Sequence, residues 1–336
     1  YASVQPWSAA VIGADLKRLH GLPLIVDFRD PWSLSTSQAW PSRSHYRRDC
    51  RQEERIFREA DAIVSVTPGI IDGYRERYPW AAEKIHLVYN GFDHDDFAES
   101  PNAATTSKGG PLRIAFAGRL YGIRGKDNSK RLQGLRSLIE YRNCSMDFTT
   151  HSLRYLLEAI AGIVKANPSA RDDLLVDVAG NVPNDNRAYA EELEVGDLVR
   201  FHGMLPHSET IDLVGRSDAV FLPMMSETDS RRSFNASGKV FEYLAHRKPI
   251  IAAVPEGDAA DLVREARCGW VGGGRDVAGQ QSLLSDLLQW KREGRFGIKP
   301  HGAFIEKFER KALAGQLAQI LKEVIMTNKP EEGRAV

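Results

Sequence analysis

The sequence predicts an α/β protein with parallel β-sheets in two Rossmann-like domains. At 336 residues, the chain is longer than one domain usually requires. Short apolar runs that end in a charge or a glycine predict buried parallel strands. Helical stretches alternate with these runs, and regular βα alternation gives parallel sheets with helices on both faces.

The predicted elements form two series. In the first series we predict strands at 24–28, 62–66 and 85–88 and helices at 45–60 and 69–78. In the second we predict strands at 112–117, 174–179, 199–202, 219–222 and 249–253 and helices at 152–167, 187–195, 208–215, 258–266, 307–324 and directly after Ser237. Residues 98–111 are rich in small and polar residues and are the predicted linker.

The composition argues against several classes of protein. Lys and Arg together number 45, as do Asp and Glu, and this zero net charge argues against a nucleic-acid binder. Cys50, Cys144 and Cys268 lie far apart, which argues against a disulfide framework or a zinc site and favours a reducing compartment. No apolar run approaches the ~18 residues of a membrane span. The histidines have no metal-site spacing, and no P-loop, GxSxG or HExxH motif occurs.

Residues 124–150 interrupt the second series between a strand and the helix that should follow it. Such connections usually take ~2–6 residues, so this segment is an insertion. Its first half is basic. It is either a surface elaboration or a loop that contacts the phosphates of a substrate or a membrane.

The segment from Ser237 to Ala245 predicts a helix whose start binds phosphate. Ser237 can cap the helix, Gly238 lets a ligand approach the backbone, and Lys239 adds a positive charge. Glu242 follows on the same face and can accept two sugar hydroxyls. At about 1.5 Å per residue, it lies ~7 Å from the cap, which fits the spacing from a diphosphate to its ribose.

Glycines follow several predicted strands of the second series. Gly118 and Arg119 follow the strand at 112–117, at the sheet edge where ligands of open α/β sheets bind and where an arginine can hold phosphate. An ordinary turn with a surface arginine is the alternative. Gly180 follows another strand, and the backbone at 203–205, which includes Met204, could contact a nucleobase edge. Tight turns without a ligand are the alternative there.

Asp27, Arg29 and Asp30 stand at the end of the strand at 24–28. Unpaired buried charge is costly, so these groups need partners or a ligand. They form either an internal ion-pair cluster or part of a ligand site. Trp32 either stacks on a sugar ring or covers the core.

The motifs of the chain stand in a recognisable order. PLIVDFRDPW, ADAIVSVTPGI and KIHLVYNGFDHDDF are followed by LRIAFAGRLY, VDVAG, VRFHGMLPHSETIDLVGRSDAVFLP and SGKVFEYLAHRKPII. In this order and spacing, the chain resembles the GT-B glycosyltransferases of family 4, in particular the bacterial branch with a DFRDPW-like motif. The resemblance extends over about residues 5–325, apart from the insertion.

The resemblance implies two Rossmann-like domains that face each other across a cleft. Residues 1–98 would form an incomplete acceptor-side domain, residues 99–306 the domain that binds the nucleotide sugar, and residues 307–336 a helical end that returns to the first domain. The implied reaction is retaining transfer of a sugar from a UDP- or GDP-sugar to a hydroxyl, without a metal or other cofactor. From the resemblance to the family we also expect a saccharide or lipid-linked acceptor and a role in bacterial polysaccharide or glycolipid synthesis. We further expect a cytoplasmic location with peripheral contact to the inner membrane face.

Individual roles follow from matching this sequence to the family motifs. Arg119 matches the arginine that clamps the donor diphosphate, and Glu242 matches the second glutamate of the EX7E motif, which holds the ribose. The expected donor-binding residues are Gly118, Arg119, Gly180, Met204, Asn235, Ser237, Gly238, Lys239 and Glu242. The expected catalytic residues are Arg119 and Lys239, which would stabilise the leaving diphosphate, and Arg29 and Asp30, which would position the acceptor.

The chain departs from the family pattern within the EX7E motif. The residue eight positions before Glu242 is Phe234, so the first glutamate is absent. Its contact with the transferred sugar could pass to Asn235 or Glu227.

Two further departures concern a lysine and the start of the chain. The lysine that usually follows the Gly-Arg turn is not evident, and Arg124, Lys126 or Lys239 could replace it. The chain starts in mid-pattern at Tyr1, without the family's glycine-rich loop, so we expect that an N-terminal portion is missing. Two other functions therefore stay open: a sugar-nucleotide epimerase of GT-B shape, and a truncated protein that binds nucleotide without catalysis.

Overall fold

The computed structural model describes residues 1–97, 109–124, 139–229, 231–294 and 297–328. These residues form two compact units. Unit 1 contains residues 1–91, 139–144 and 310–328. Unit 2 contains residues 92–97, 109–124, 145–229, 231–294 and 297–309. Most of the predicted linker, residues 98–108, lies outside the described residues.

Strands and helices alternate along most of the described chain. The strands are β1 (Ala2–Val4), β2 (Ile25–Phe28), β3 (Ala39–Trp40), β4 (Ala62–Ser65), β5 (Ile85–Leu87), β6 (Leu112–Ala117), β7 (Tyr141–Arg142), β8 (Met146–Asp147), β9 (Leu174–Ala179), β10 (Val199–Gly203), β11 (Ala219–Pro223), β12 (Ser226–Glu227), β13 (Ile250–Ala253) and β14 (Gly269–Gly272). The helices are α1 (Ser8–His20), α2 (Arg43–Glu59), α3 (Pro68–Arg77), α4 (Arg154–Ala166), α5 (Asn184–Glu192), α6 (His207–Gly215), α7 (Gly238–Ala245), α8 (Asp258–Glu265), α9 (Val277–Glu293), α10 (Gly302–Ile305) and α11 (Arg310–Thr327).

Unit 1 is built on a parallel sheet of four strands in the order β1-β2-β4-β5. The apolar runs of β2 and β4 are buried along their whole length, as expected for central strands of a parallel sheet. On this sheet, Leu313, Ile320 and Val324 of α11 share one apolar cluster with Ile25 and Val64. The last helix of the described chain therefore belongs to the unit that contains its first residues.

Unit 2 is built on a parallel sheet of six strands in the order β10-β9-β6-β11-β13-β14. One large apolar cluster joins the central strands to α4 and α9, through residues such as Ile160 and Leu284. This arrangement confirms the predicted α/β class with parallel sheets. It also brings the carboxyl ends of β6, β9 and β10 to one edge, because adjacent parallel strands end on the same side.

The insertion predicted at 124–150 is divided between the two units. Residues 139–144, which the sequence analysis placed in the second domain, lie in unit 1, where β7 pairs antiparallel with β3. Residues 145–150 of the insertion lie in unit 2, where β8 pairs antiparallel with β12. Residues 125–138 lie outside the described part of the chain.

One buried carboxylate organises the loop that follows β2. Glu53 of α2 is buried and accepts hydrogen bonds from the backbone N–H of Ser33 (2.8 Å), from its hydroxyl, and from the hydroxyls of Tyr74 (3.3 Å) and Tyr78 (2.9 Å). Burial raises the pKa of Glu53, and the hydrogen bonds from Ser33 and Tyr78 oppose that shift. The loop is therefore held by one side chain that satisfies several buried donors.

No helix among the described residues is long and apolar enough to cross a membrane.

We expect Glu53→Ala to lower the free energy of unfolding by roughly 3–5 kcal/mol, because it leaves several buried donors without an acceptor. Urea denaturation measures this loss. Glu54→Ala is the matched control, since Glu54 pairs with Arg58 (2.6 Å) on the surface of the same helix. We expect the control to change the free energy by less than about 1 kcal/mol. Equal effects of the two variants would show that Glu53 does not organise the loop.

We expect the stability of the protein to fall as the pH is lowered below 6.5, in part through His246. Burial, with help from the charge of Lys248, lowers the pKa of His246 from 6.5 to about 3. Between these values the unfolded chain binds a proton that the folded chain does not, so acid favours unfolding by up to ~1.4 kcal/mol per pH unit. Denaturation from pH 7 to pH 4 should show a shallower pH slope for His246→Gln. An unchanged slope would contradict the assignment.

Candidate functional site

Three loops meet at the carboxyl edge of the sheet in unit 2. The N–H of Gly118 donates to the carbonyl of Ala179 (2.9 Å), and the N–H of Gly180 donates to the carbonyl of Gly203 (2.6 Å). All three glycines have positive φ, of +137°, +115° and +71° in chain order. A Cβ atom on Gly180 would lie 1.9 Å from the carbonyl oxygen of Gly118. Gly180 is therefore required for the packing of the loops themselves, whether or not a ligand binds there.

The start of α7 lies over the first of these loops. As predicted, Ser237 caps the helix, and its hydroxyl accepts from the N–H of Lys239 (3.3 Å). A Cβ atom on Gly118 would lie 2.0 Å from Cε and 2.6 Å from Nζ of Lys239. The lysine side chain thus extends across the face of Gly118, in space that only a glycine leaves open.

A buried tyrosine fixes the position of α7 relative to β6. The hydroxyl of Tyr243 accepts a hydrogen bond from the backbone N–H of Ala117 (3.1 Å), the last residue of β6. Burial raises the pKa of Tyr243, so the group stays a neutral phenol. This bond ties the helix that carries Lys239 to the strand end that precedes Gly118. The sequence analysis did not single out Tyr243, because a tyrosine inside a helix looks like an ordinary packing residue.

The charged groups around Gly118 differ in exposure. Lys239 is half-buried, its Nζ lies 5.5 Å from the ring centroid of Phe116, and burial lowers its pKa while Glu242 opposes the shift. Arg119 is exposed, with its guanidinium 5.4 Å from the ring centroid of Tyr121. Glu242 is exposed on the same helix as Lys239. The site therefore combines one cation that is partly withdrawn from water with one that is exposed to it.

His151 is a site residue that the sequence analysis missed. Burial, together with the charges of Lys239 and Arg119, lowers its pKa from 6.5 to about 4, whereas a hydrogen bond with the Arg119 backbone opposes the shift. Its Nδ1 atom is buried without a partner among the described residues. The imidazole is therefore neutral at pH 7 and lies beside both cations. Only its position at the end of the insertion could have drawn attention to it.

The loop after Gly118 is held by the start of α5. Asp185 accepts from the N–H of Ile123 (2.8 Å), and the buried amide of Asn186 donates to the carbonyl of Tyr121 (3.0 Å). The N–H of Tyr121 in turn donates to the carbonyl of His151 (2.8 Å). These bonds give the loop that carries Arg119 a defined path.

The remaining predicted donor residues lie on other loops of unit 2. Met204 is 77% exposed and follows Gly203 at the same sheet edge. Asn235 is half-buried, and its N–H donates to Ser233 Oγ (3.4 Å). The Ser233 hydroxyl also donates to the buried carboxylate of Glu227 (3.0 Å). Asn235 and Glu227, the two suggested replacements for the absent glutamate, thus share Ser233 as a neighbour.

The three suggested replacements for the family lysine differ in position. Arg124 is exposed and lies 3.8 Å from Glu192 on the surface. Lys126 lies outside the described residues. Lys239 is the one that extends over the Gly118 turn.

In unit 1, the charges after β2 form an internal cluster. Asp27 is buried and accepts from Arg29 Nε (2.8 Å), and Arg29 also donates to Asn90 (3.2 Å). Asp30 is exposed, although partial burial raises the pKa of its carboxyl group. The ion-pair interpretation therefore holds for Asp27 and Arg29, whereas Asp30 remains accessible.

Trp32 covers the core and cannot stack on a sugar. It is 4% exposed, its ring stacks on Trp7 at 5.2 Å between centroids, and its Nε1 donates to Asp49 (3.1 Å). Among the described residues, no group of three or more His, Cys, Asp or Glu side chains is placed to hold a metal ion.

Two family models match the chain. One, described as glycosyltransferase family 4, matches residues 3–96, and the other, described as glycosyl transferases group 1, matches residues 144–289. No curated protein matches the sequence.

Solved structures of glycosyltransferases share the fold. Anabaena HepE in complex with UDP has a TM-score of 0.59 and 16% identity, over 94% of this chain and 76% of that one. Sucrose-phosphate synthase from Thermosynechococcus elongatus has a TM-score of 0.61 and 15% identity, over 96% of this chain and 72% of that one. The lipopolysaccharide outer core galactosyltransferase WaaB has a TM-score of 0.57 and 13% identity, over 94% and 80%.

Fold and family models together define the protein as a glycosyltransferase of the GT-B fold. The two matches bear out the predicted likeness to the family 4-like GT-B glycosyltransferases, while the assignment to the branch with a DFRDPW-like motif stays a prediction.

We expect Gly118→Ala to push the Lys239 side chain into solvent, because the new Cβ would overlap Cε of the lysine. The pKa of Lys239, which burial lowers, should then rise, and an NMR titration of the lysine measures this. Stability should fall by about 1 kcal/mol or more, since alanine is strained at φ +137°. Gly315→Ala is the control, because nothing lies within 4 Å of its added Cβ. An unchanged Lys239 pKa would contradict the expected displacement.

Proposed function

We propose that the protein transfers a sugar, with retention of configuration, from a nucleoside diphosphate sugar to a hydroxyl acceptor. The observation that carries this proposal is the position of Lys239 across Gly118, beside Arg119 and His151. There, the cations Lys239 and Arg119 and the positive end of α7 surround the loop at Gly118. Such a place is suited to a diphosphate.

The donor diphosphate is bound between the start of α7 and the Gly118 turn. The positive end of the α7 dipole and the ammonium of Lys239 face the phosphate oxygens, and Arg119 folds over them from its exposed position. Glu242, further along the same helix, accepts the ribose hydroxyls. The exposed Met204 and the backbone beside it contact the base.

Charge develops on the leaving diphosphate as the bond to the sugar breaks. Lys239 is the effective stabiliser of that charge, because a cation partly withdrawn from water interacts more strongly than an exposed one. His151 supports it as a polar neighbour that adds no positive charge while the site is empty. The acceptor hydroxyl attacks from the face that the diphosphate leaves, and a phosphate oxygen takes its proton.

The acceptor is bound by the loop after β2 in unit 1. Asp30 is the accessible carboxylate of that loop and orients the acceptor hydroxyl, whereas Arg29 acts through its bonds to Asp27 and Asn90. The acceptor is a saccharide or a lipid-linked saccharide in bacterial polysaccharide or glycolipid synthesis, reached at the inner face of the cytoplasmic membrane by peripheral contact. The transferred sugar is a hexose, and the reaction uses no metal or other cofactor.

UDP is the first donor nucleotide to test, because HepE has been solved in complex with UDP and with UDP-glucose. Calorimetry with UDP, GDP and ADP identifies the base. Incubation with the corresponding sugar nucleotides and octyl β-glucoside then tests transfer, with release of nucleoside diphosphate as the readout. Nucleotide binding without transfer or release favours the non-catalytic alternative, and a changed sugar on an intact nucleotide favours the epimerase.

We expect Glu242→Ala to weaken the binding of UDP about tenfold or more, since losing hydrogen bonds to a polar ligand costs ~1–3 kcal/mol. Lys239→Met should lower kcat more than it lowers affinity, because the lysine acts most strongly on the charge of the transition state. Calorimetry and initial rates separate the two effects. Glu265→Ala, at the end of α8, is the control and should change neither quantity. Unchanged UDP affinity in Glu242→Ala would refute the ribose assignment.

A further inference from the structure

Residues 139–144 of the insertion are part of unit 1, although the described residues before and after them belong to unit 2. Residues 109–124 and the chain from 145 to 229 lie in unit 2, whereas residues 139–144 lie in unit 1. A plain surface elaboration would stay with the unit from which it emerges. The segment is therefore built to contact unit 1.

The segment is anchored in unit 1 by a strand and by aromatic rings. In the pairing of β7 with β3, Tyr141 lies opposite Trp40. The ring of Tyr141 lies 4.5 Å from that of Tyr46 and 6.2 Å from that of Trp40, and the guanidinium of Arg43 lies 5.9 Å from its centroid. Such contacts fix a short strand that two residue pairs alone would not hold.

Asn143 then binds the loop that follows the predicted acceptor residues. Its side-chain amide donates to the carbonyl of Ser33 (2.7 Å) and to the carbonyl of Ser35 (3.0 Å). The N–H and hydroxyl of Ser33 are bound to Glu53. The N–H and hydroxyl of Ser33 are thus bound by Glu53 of α2, and its carbonyl is bound by Asn143 of the insertion.

This loop needs such a partner because it is irregular and buried. Ser33, Ser35 and Thr36 are buried, and the loop between β2 and β3 has no ladder to satisfy its carbonyl groups. Buried carbonyls without partners are costly, so the amide of Asn143 supplies what a neighbouring strand would supply elsewhere. Asp30 lies only three residues before Ser33 in the same loop.

We propose that the segment 141–143 is a positioning element for the acceptor, in which Asn143 holds the loop from Asp30 to Ser35 in the shape that binds the acceptor hydroxyl. This rests on the proposed function, which assigns acceptor binding to that loop. Asn143 touches no reacting atom. It determines where Asp30 stands, and the insertion thereby contributes to acceptor choice.

The test is Asn143→Asp, which keeps the shape of the side chain and replaces its two donated hydrogens with a charge that repels both carbonyls. Asn328→Asp is the matched control, because the amide of Asn328 also donates to a backbone carbonyl, that of Val324 (2.9 Å), at the end of α11 in the same unit. Hydrogen exchange of the peptide over residues 30–40 should rise in Asn143→Asp and stay unchanged in Asn328→Asp.

Kinetics with UDP-glucose and octyl β-glucoside distinguish positioning from general damage. We expect KM for octyl β-glucoside to rise about tenfold or more in Asn143→Asp, while the affinity for UDP and the rate of UDP-glucose hydrolysis by water change less than twofold. Unchanged exchange over 30–40, or faster exchange with an unchanged acceptor KM, overturns the inference. A wild-type protein that neither binds UDP nor consumes UDP-glucose instead overturns the proposed function, and the acceptor role with it.

Discussion

The absence of a side chain at Gly118 is the constraint on which the site in unit 2 depends. The ammonium end of Lys239 occupies the space that a Cβ atom would take, and the carbonyl of the same glycine occupies the space above Gly180. The bond from Ala117 to Tyr243 fixes the helix that brings the lysine there. Because Gly118 has no Cβ atom, its loop can pack against both the loop at Gly180 and the start of α7. The backbone at Gly118 and the ammonium of Lys239 therefore lie next to each other.

The loop after β2 in unit 1 is organised by a different principle. There two polar side chains hold the loop: the buried carboxylate of Glu53 accepts hydrogen bonds from Ser33, and the half-buried amide of Asn143 donates to the carbonyls of Ser33 and Ser35. Nearby, Arg29 donates to one carboxylate oxygen of Asp27, and the other oxygen is buried without a partner among the described residues. A buried polar network of this kind is costly when incomplete and specific when complete. This network fixes the conformation of the irregular loop after β2. In unit 2, the strand β6 and the helix α7 fix the site instead.

The sequence predicted the features that are local. Strands such as β2, β6 and β9 are mostly apolar, with one charged residue in each, and the cap at Ser237 depends on residues within one turn, so both were predicted correctly. Features that depend on distant partners were missed. Nothing near Tyr141 indicates β3 as its partner, and nothing near His151 indicates its two cationic neighbours.

Two misses have other physical causes. Helix α9 was overlooked although Leu284, Leu287 and Leu288 have helical spacing, because the polar residues between them hide the apolar stripe. The last helix begins at Arg310 rather than at 307, because the chain first makes a 3₁₀ turn over Glu306–Phe308 that buries Phe308 against Phe241. Burial of the Phe308 ring can thus shift the first residue of the helix, which helix propensity alone does not determine.

The packing of α11 on the sheet of unit 1 has a consequence for how the molecule is made. Unit 1 is assembled from three separate pieces of chain, whereas unit 2 is drawn almost entirely from the stretch between them. During synthesis the central unit can close its core while the first strands still wait for the segment at 139–144 and for the last helix. Unit 1 is thus completed only after α11 has been made, and until then the apolar surface around Ile25 and Val64 is open to chaperones or to aggregation.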